Sequence, residues 1–158
     1  MPDVEKAKAL NGAADSFQSQ NSGTFLARAA MLNKSKIISF VATKHPAKAR
    51  KFYETTLALK LISDDPFALV FDASGTMLRV QKVQELQPAQ HTVLGWDVPN
   101  ILDAVNQLAE RGVRFERFDG LPQDEFGVWT SPAGGKIAWF KDPDGNILSL
   151  TEFQRASH

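Results

Sequence analysis

From Lys36 onward, apolar and polar positions alternate in short, bounded blocks. "KIISFVAT" (36–43) is β-branched and apolar on both faces, which predicts a strand covered on both sides. Pro46 then opens "PAKARKFYETTLAL", where Ala49, Phe52, Tyr53 and Leu57 fall on one helical face. "LKLIS", "FALVFDA" and "TMLRVQKV" predict three further strands. After the polar spacer "QELQPAQ" a similar series begins with the strand "TVLGWDV". The helix "NILDAVNQLAERG" follows, with Asn100 as N-cap and Gly112 at its close. "VRFERF", "KIAWFK" and "NILSLTEF" predict the last three strands.

The two series superimpose. "FALVFDASGTMLRVQ" (67–81) and "IAWFKDPDGNILSLT" (137–151) align at a constant offset of 70, so that Asp72 meets Asp142, Gly75 meets Gly145 and Arg79 meets Ser149. The chain is therefore read as an internal duplication of a strand–helix–three-strand unit. The second copy carries the insertion "DGLPQDEFGVWTSPAGG", of a length usually reserved for functional or mobile loops. The first thirty residues have few large apolar side chains and no sustained period. The expected organisation is a flexible N-terminal extension over 1–34, a domain over 35–154 with units at about 36–87 and 91–153, and a tail at 155–158.

Composition narrows the function. The 158 residues suffice for one domain with a real core. Lysine plus arginine equals aspartate plus glutamate at 18 each, so no overall field favours nucleic acid or an acidic membrane surface. The absence of cysteine excludes disulfides, thiolate metal sites and a cysteine nucleophile. No apolar run approaches the roughly 18–20 residues of a membrane span. The first thirty residues also lack the apolar stretch of a secretion signal. A cytoplasmic protein is expected.

"FKDPDGNILSLTEF" (140–153) looks at first like a cation loop, with Asp142, Asp144 and Asn146 at alternate positions. A calcium loop of the EF-hand type needs glycine sixth and glutamate twelfth, and here those places hold Ile147 and Phe153. A hairpin turn is the better reading. Pro143 presets φ, Asp142 accepts backbone bonds and Gly145 tolerates positive φ. "DASG" is expected to make the same turn in the first unit. "ASG" and "AGG" lack the lysine and helix context of a phosphate loop.

The duplicated unit, "KFYETTLALKL" and "FKDPDGNILSLTE" together resemble the vicinal oxygen chelate superfamily of glyoxalase I, bleomycin-resistance proteins, fosfomycin-resistance enzymes and extradiol dioxygenases. The resemblance covers about residues 36–153. It implies an α+β fold of two tandem βαβββ units, with curved mixed sheets around a concave cavity and helices outside. It also implies a small-molecule ligand and a homodimer, with no nucleic-acid or membrane partner. Catalytic members hold a divalent metal on the first and last strands of each unit. Those positions fall here at Ile38, Arg79, Val93 and Ser149, none a good ligand for a divalent cation. Glu152 is turned to the opposite face by strand alternation. The metal site is read as lost and no cofactor is expected, with a divalent metal as the alternative.

Alternation places Ile38, Phe40, Ala42, Met77, Arg79, Gln81, His91, Val93, Gly95, Asp97, Ile147, Ser149 and Thr151 on the concave side, an apolar bowl with a few polar groups. Arg79 is either a fork for a ligand carboxylate, phosphate or enolate, or one half of an internal pair with Asp97 or another carboxylate. His91 is either a general base or an exposed linker residue. Trp129 either closes over a flat ligand or anchors its loop. Trp96 is expected in the core. Ser149 has no base nearby and is not read as a nucleophile. The first reading is a metal-free binder of a small amphipathic or aromatic molecule, with Ile38, Phe40, Met77, Arg79, Gln81, Val93, Asp97, Trp129 and Ser149 lining the site. The alternative is a divergent lyase or isomerase acting on a small carbonyl substrate with His91 as base.

Overall fold

A computed structural model of the chain describes residues 31–156; the extension expected over 1–34 lies almost wholly outside them. The chain divides into Met1–Lys36 and Ile37–His158. In the first, the described residues form one 3₁₀ turn, Leu32–Lys34. The second holds all the strands.

Its first unit runs from β1 (Ile38–Thr43) into α1, which starts at Pro46–Arg50 and continues as a π-helical turn over Lys51–Thr56. Then come β2 (Lys60–Asp64), β3 (Ala68–Ala73) and β4 (Thr76–Lys82). The second unit comprises β5 (Thr92–Asp97), α2 (Ile101–Glu110), β6 (Trp129–Thr130), β7 (Lys136–Lys141) and β8 (Ile147–Glu152). The sheets have matching orders, β1-β4-β3-β2 and β5-β8-β7-β6. In each, the first and last strands of the unit pair in parallel. The expected tandem βαβββ fold is present. Among the described residues no helix is long and apolar enough to cross a membrane.

Both sheets turn one face to a single apolar core. Val41, Leu69, Phe71, Leu78 and Val80 come from the first sheet, and Ala138, Phe140, Leu148 and Leu150 from the second. Helix α1 binds them together, with Tyr53 packed 5.8 Å from Phe71 and Phe52 6.4 Å from Phe140, ring centre to ring centre. Trp96 stacks on Phe140 at 6.3 Å, as expected of a core residue. The opposite face of each sheet is turned away from this core.

Two expectations need correction. "VRFERF" is not a strand: Phe115 makes one isolated bridge to Phe140, and the third strand of the sheet is instead Trp129–Thr130, inside the insertion. The insertion is folded by its own polar side chains. Gln123 accepts from Phe118 N and donates to the carbonyls of Glu116 and Gly127, and Asp124 accepts from Phe126 N and Val128 N. The two hairpin turns also differ. Ser74 and Gly75, at φ 52° and 90°, form a two-residue turn between Ala73 and Thr76. In the second unit Pro143, Asp144 and Gly145 make a three-residue loop between Asp142 and Asn146, with Gly145 at φ 87°.

Candidate functional site

The "DPDGN" turn proves to be a suture between the units. Asp142 is buried and accepts from Tyr53 Oη at 2.7 Å, from Asn146 Nδ2 at 2.8 Å, and from the backbone N of Asp144 and Asn146. Burial raises the Asp142 carboxyl above the usual carboxylate range, against the pull of those bonds. Burial, with Asp142 beside it, also raises the Tyr53 phenol well above its ordinary value. Asp144 accepts from Thr43 Oγ1 and Lys44 N and lies 3.0 Å from His45 Nδ1. Burial pushes the Asp144 carboxyl up, but bonds from Thr43, Lys44 and His45 outweigh it and hold it below the carboxylate range. Asn146 Nδ2 also reaches the Ala42 carbonyl at 2.9 Å. These are structural contacts, as the hairpin reading expected.

The candidate binding residues divide between two outward sheet faces. On the first sheet, strand register places Ile38 beside Met77, Arg79 between Phe40 and Val70, and Ala42 beside Gln81. The expected bowl is an open surface in one chain: Ile38, Phe40 and Met77 are 46%, 51% and 42% exposed. Arg79 makes no ion pair among the described residues. The internal pair with Asp97 is not formed, and Asp97 lies 3.7 Å from Arg155. Asp97 also lines a hollow on the helical side rather than a bowl shared with Arg79.

On the second sheet, Gly95, Ser149 and Trp139 lie side by side. Ser149 is buried, and a Cβ at position 95 would stand 2.6 Å from its Oγ, so the glycine makes room for the hydroxyl. A bulge between Thr92 and Leu94 shifts the start of β5, so Thr92, rather than Val93, sits opposite Ile147. Trp139 donates from Nε1 to Thr92 Oγ1 at 3.1 Å. Its ring meets Phe118 edge-on at 5.4 Å and Trp129 at 6.2 Å. This trio is an aromatic platform, and Trp129 belongs to it.

Trp139 and Phe118 were missed from sequence for one reason each. Under a strict repeat of 70, Trp139 matches Leu69, which faces the core. The second hairpin loop, three residues against two, slips β7 by one place against β8 and turns Trp139 outward. The signal was present in "DPDGN" against "DASGT". Phe118 was assigned to a strand that does not form.

A divalent cation does not suit the four side-chain positions expected from the sequence resemblance, Ile38, Arg79, Val93 and Ser149. It would meet isoleucine, an arginine, Val93 or Thr92, and a serine, with no carboxylate or imidazole. Among the described residues no three His, Asp or Glu side chains cluster as a metal site would require. Glu152 is committed elsewhere, accepting from Ile101 N at 2.8 Å at the start of α2. His91 lies exposed ahead of β5.

Residues 36–150 match the Glyoxalase/Bleomycin resistance protein/Dioxygenase superfamily. Among solved structures, a lactoylglutathione lyase from Agrobacterium tumefaciens is 15% identical, with TM-score 0.60 over 75% of this chain and 93% of that one. A bleomycin resistance determinant encoded on transposon Tn5 is 19% identical, with TM-score 0.61 over 76% and 98% of the two chains. A superfamily member from Sphaerobacter thermophilus is 23% identical, with TM-score 0.57 over 74% and 97%. No curated protein matches the chain.

Proposed function

Since the chain belongs to the glyoxalase/bleomycin resistance protein/dioxygenase superfamily, we propose that it is a homodimeric binder of a small amphipathic or aromatic molecule that uses no divalent metal. The observation that carries this reading is Arg79. It makes no ion pair within 4 Å among the described residues, although the Asp65 carboxyl, held low first by the Phe67 and Ala68 amides, also feels its charge. It is set on an apolar face between Phe40 and Val70. A guanidinium in that setting is suited to a carboxylate or another planar anion. The Phe118, Trp129 and Trp139 rings supply a surface for a flat ligand on the second sheet. A second copy laid over the open faces would bury Ile38, Phe40 and Met77 and remove Arg79 from bulk water. No observation favours the lyase or isomerase reading, since nothing among the described residues orients His91.

Thermal melts against a panel of small aromatic carboxylates test the reading. A stabilising acid should lose about ten-fold or more in affinity in Arg79→Gln, the loss expected for a charge-assisted hydrogen bond. Its neutral amide should be unaffected. Equal losses for acid and amide would sink the role given to Arg79. Melts in chelator, nickel, zinc, cobalt and manganese should coincide. A metal bound only by the native state at 100 times its Kd adds about 2.7 kcal/mol, so a saturable shift would overturn the metal-free reading.

A further inference from the structure

The helical side carries a hollow unconnected with the reading of the outer sheet faces. It has a volume of about 330 Å³ and lies where the end of α1 meets α2, near the lower end of the roughly 300–1,000 Å³ of small-molecule sites. Trp96, Phe140 and Leu150 line it, the two rings stacked at an interplanar angle of 23°. Leu57 and Leu108 add apolar wall. Ala58, also in the wall, is held at φ 57° where α1 closes, with Leu59 N bonded back to the Tyr53 carbonyl at 2.9 Å.

The charges at the rim are unequal in their pairing. Asp97 has Arg155 beside it. Arg111 donates from Nη1 to the Thr56 carbonyl at 3.0 Å, which fixes the guanidinium at the edge of the hollow. It has no carboxylate in ion-pair range among the described residues. An apolar floor with one fixed, unneutralised cation at its edge selects for an apolar body bearing one negative charge.

We propose that this hollow is a second small-molecule site, which takes a flat aromatic monocarboxylate with its ring against Trp96, backed by the buried Phe140, and its carboxylate on Arg111. The probe is 2-naphthoate, with 2-naphthamide as the neutral control, titrated into the full chain with labelled methyl groups. Shifts are expected at the methyls of Leu57, Ala104, Leu108 and Leu150. Arg111→Gln should weaken the acid about ten-fold or more and leave the amide unchanged. Ala104→Phe, which fills the hollow without touching Arg111, should abolish binding of both. Shifts confined to Ile38, Met77 and Val93 would place the ligand on the outer faces and overturn the proposal. So would equal affinity for acid and amide, or no shift at millimolar naphthoate. Arg79→Gln leaves this site intact, so its failure and that of the outer-face reading are separable.

Discussion

At the scale of single residues, close approach decides more than chemistry does. Gly95 and Ser149 share one space on the second sheet, and neither can grow without displacing the other. Gly95→Ala should cost about 1–3 kcal/mol, the usual range for overpacking. In Ser149→Ala the offending oxygen is gone and the next side-chain atom stands 3.9 Å away. The same glycine substitution should then be nearly neutral. A double-mutant cycle in urea measures the difference, and additive losses would show that the strain lies elsewhere. Arg79 is the converse case, a half-buried side chain with no ion pair within 4 Å among the described residues.

At the scale of elements, turn length sets which side chains reach the outer faces. The Ser74–Gly75 turn requires φ above zero at both residues, which asparagine accepts more readily than serine. Ser74→Asn should therefore stabilise the first hairpin by a few tenths of a kcal/mol to about 1 kcal/mol, read from the urea midpoint. Most of the element pattern was legible in the sequence, because alternation and helical spacing fix the faces of β1, α1, β4, α2 and β8. Ile38, Phe40, Met77, Arg79, Gln81 and Ser149 accordingly fall on the outward faces given by the strand register, whereas Asp97, at the end of β5, lines the hollow on the helical side. What alternation missed came from one-residue events: the bulge that puts Thr92 in place of Val93, and the longer loop that turns Trp139 outward, for which only "DPDGN" against "DASGT" gave a sign. Periodicity carries no mark of either. The short strand Trp129–Thr130 was hidden because two residues have no period at all.

At the scale of the whole molecule, the acidic turn after β7 governs how the units respond to acid. The folded-state value of Asp144 is depressed, so its contribution to stability is present above the unfolded value near 3.8 and is lost as pH falls through the folded one. Asp142 is raised, so its contribution is fullest below 3.8 and is lost as pH rises through its higher folded value. Asp144→Asn should thus flatten the fall of stability in acid, measured by urea midpoints on descending from pH 5; an unchanged slope would deny Asp144 that part. Tyr53→Phe, which strips a donor from a buried carboxylate, should cost about 1–3 kcal/mol. This suture has a consequence for how the molecule can come apart. Each half supplies what the other buries: the first brings the phenol, the second the carboxylate that receives it. The duplicated halves are therefore obligate complements rather than independent copies. Cut within the linker between β4 and β5, they should remain unfolded when made separately, reassemble one to one when mixed, and melt thereafter in a single transition.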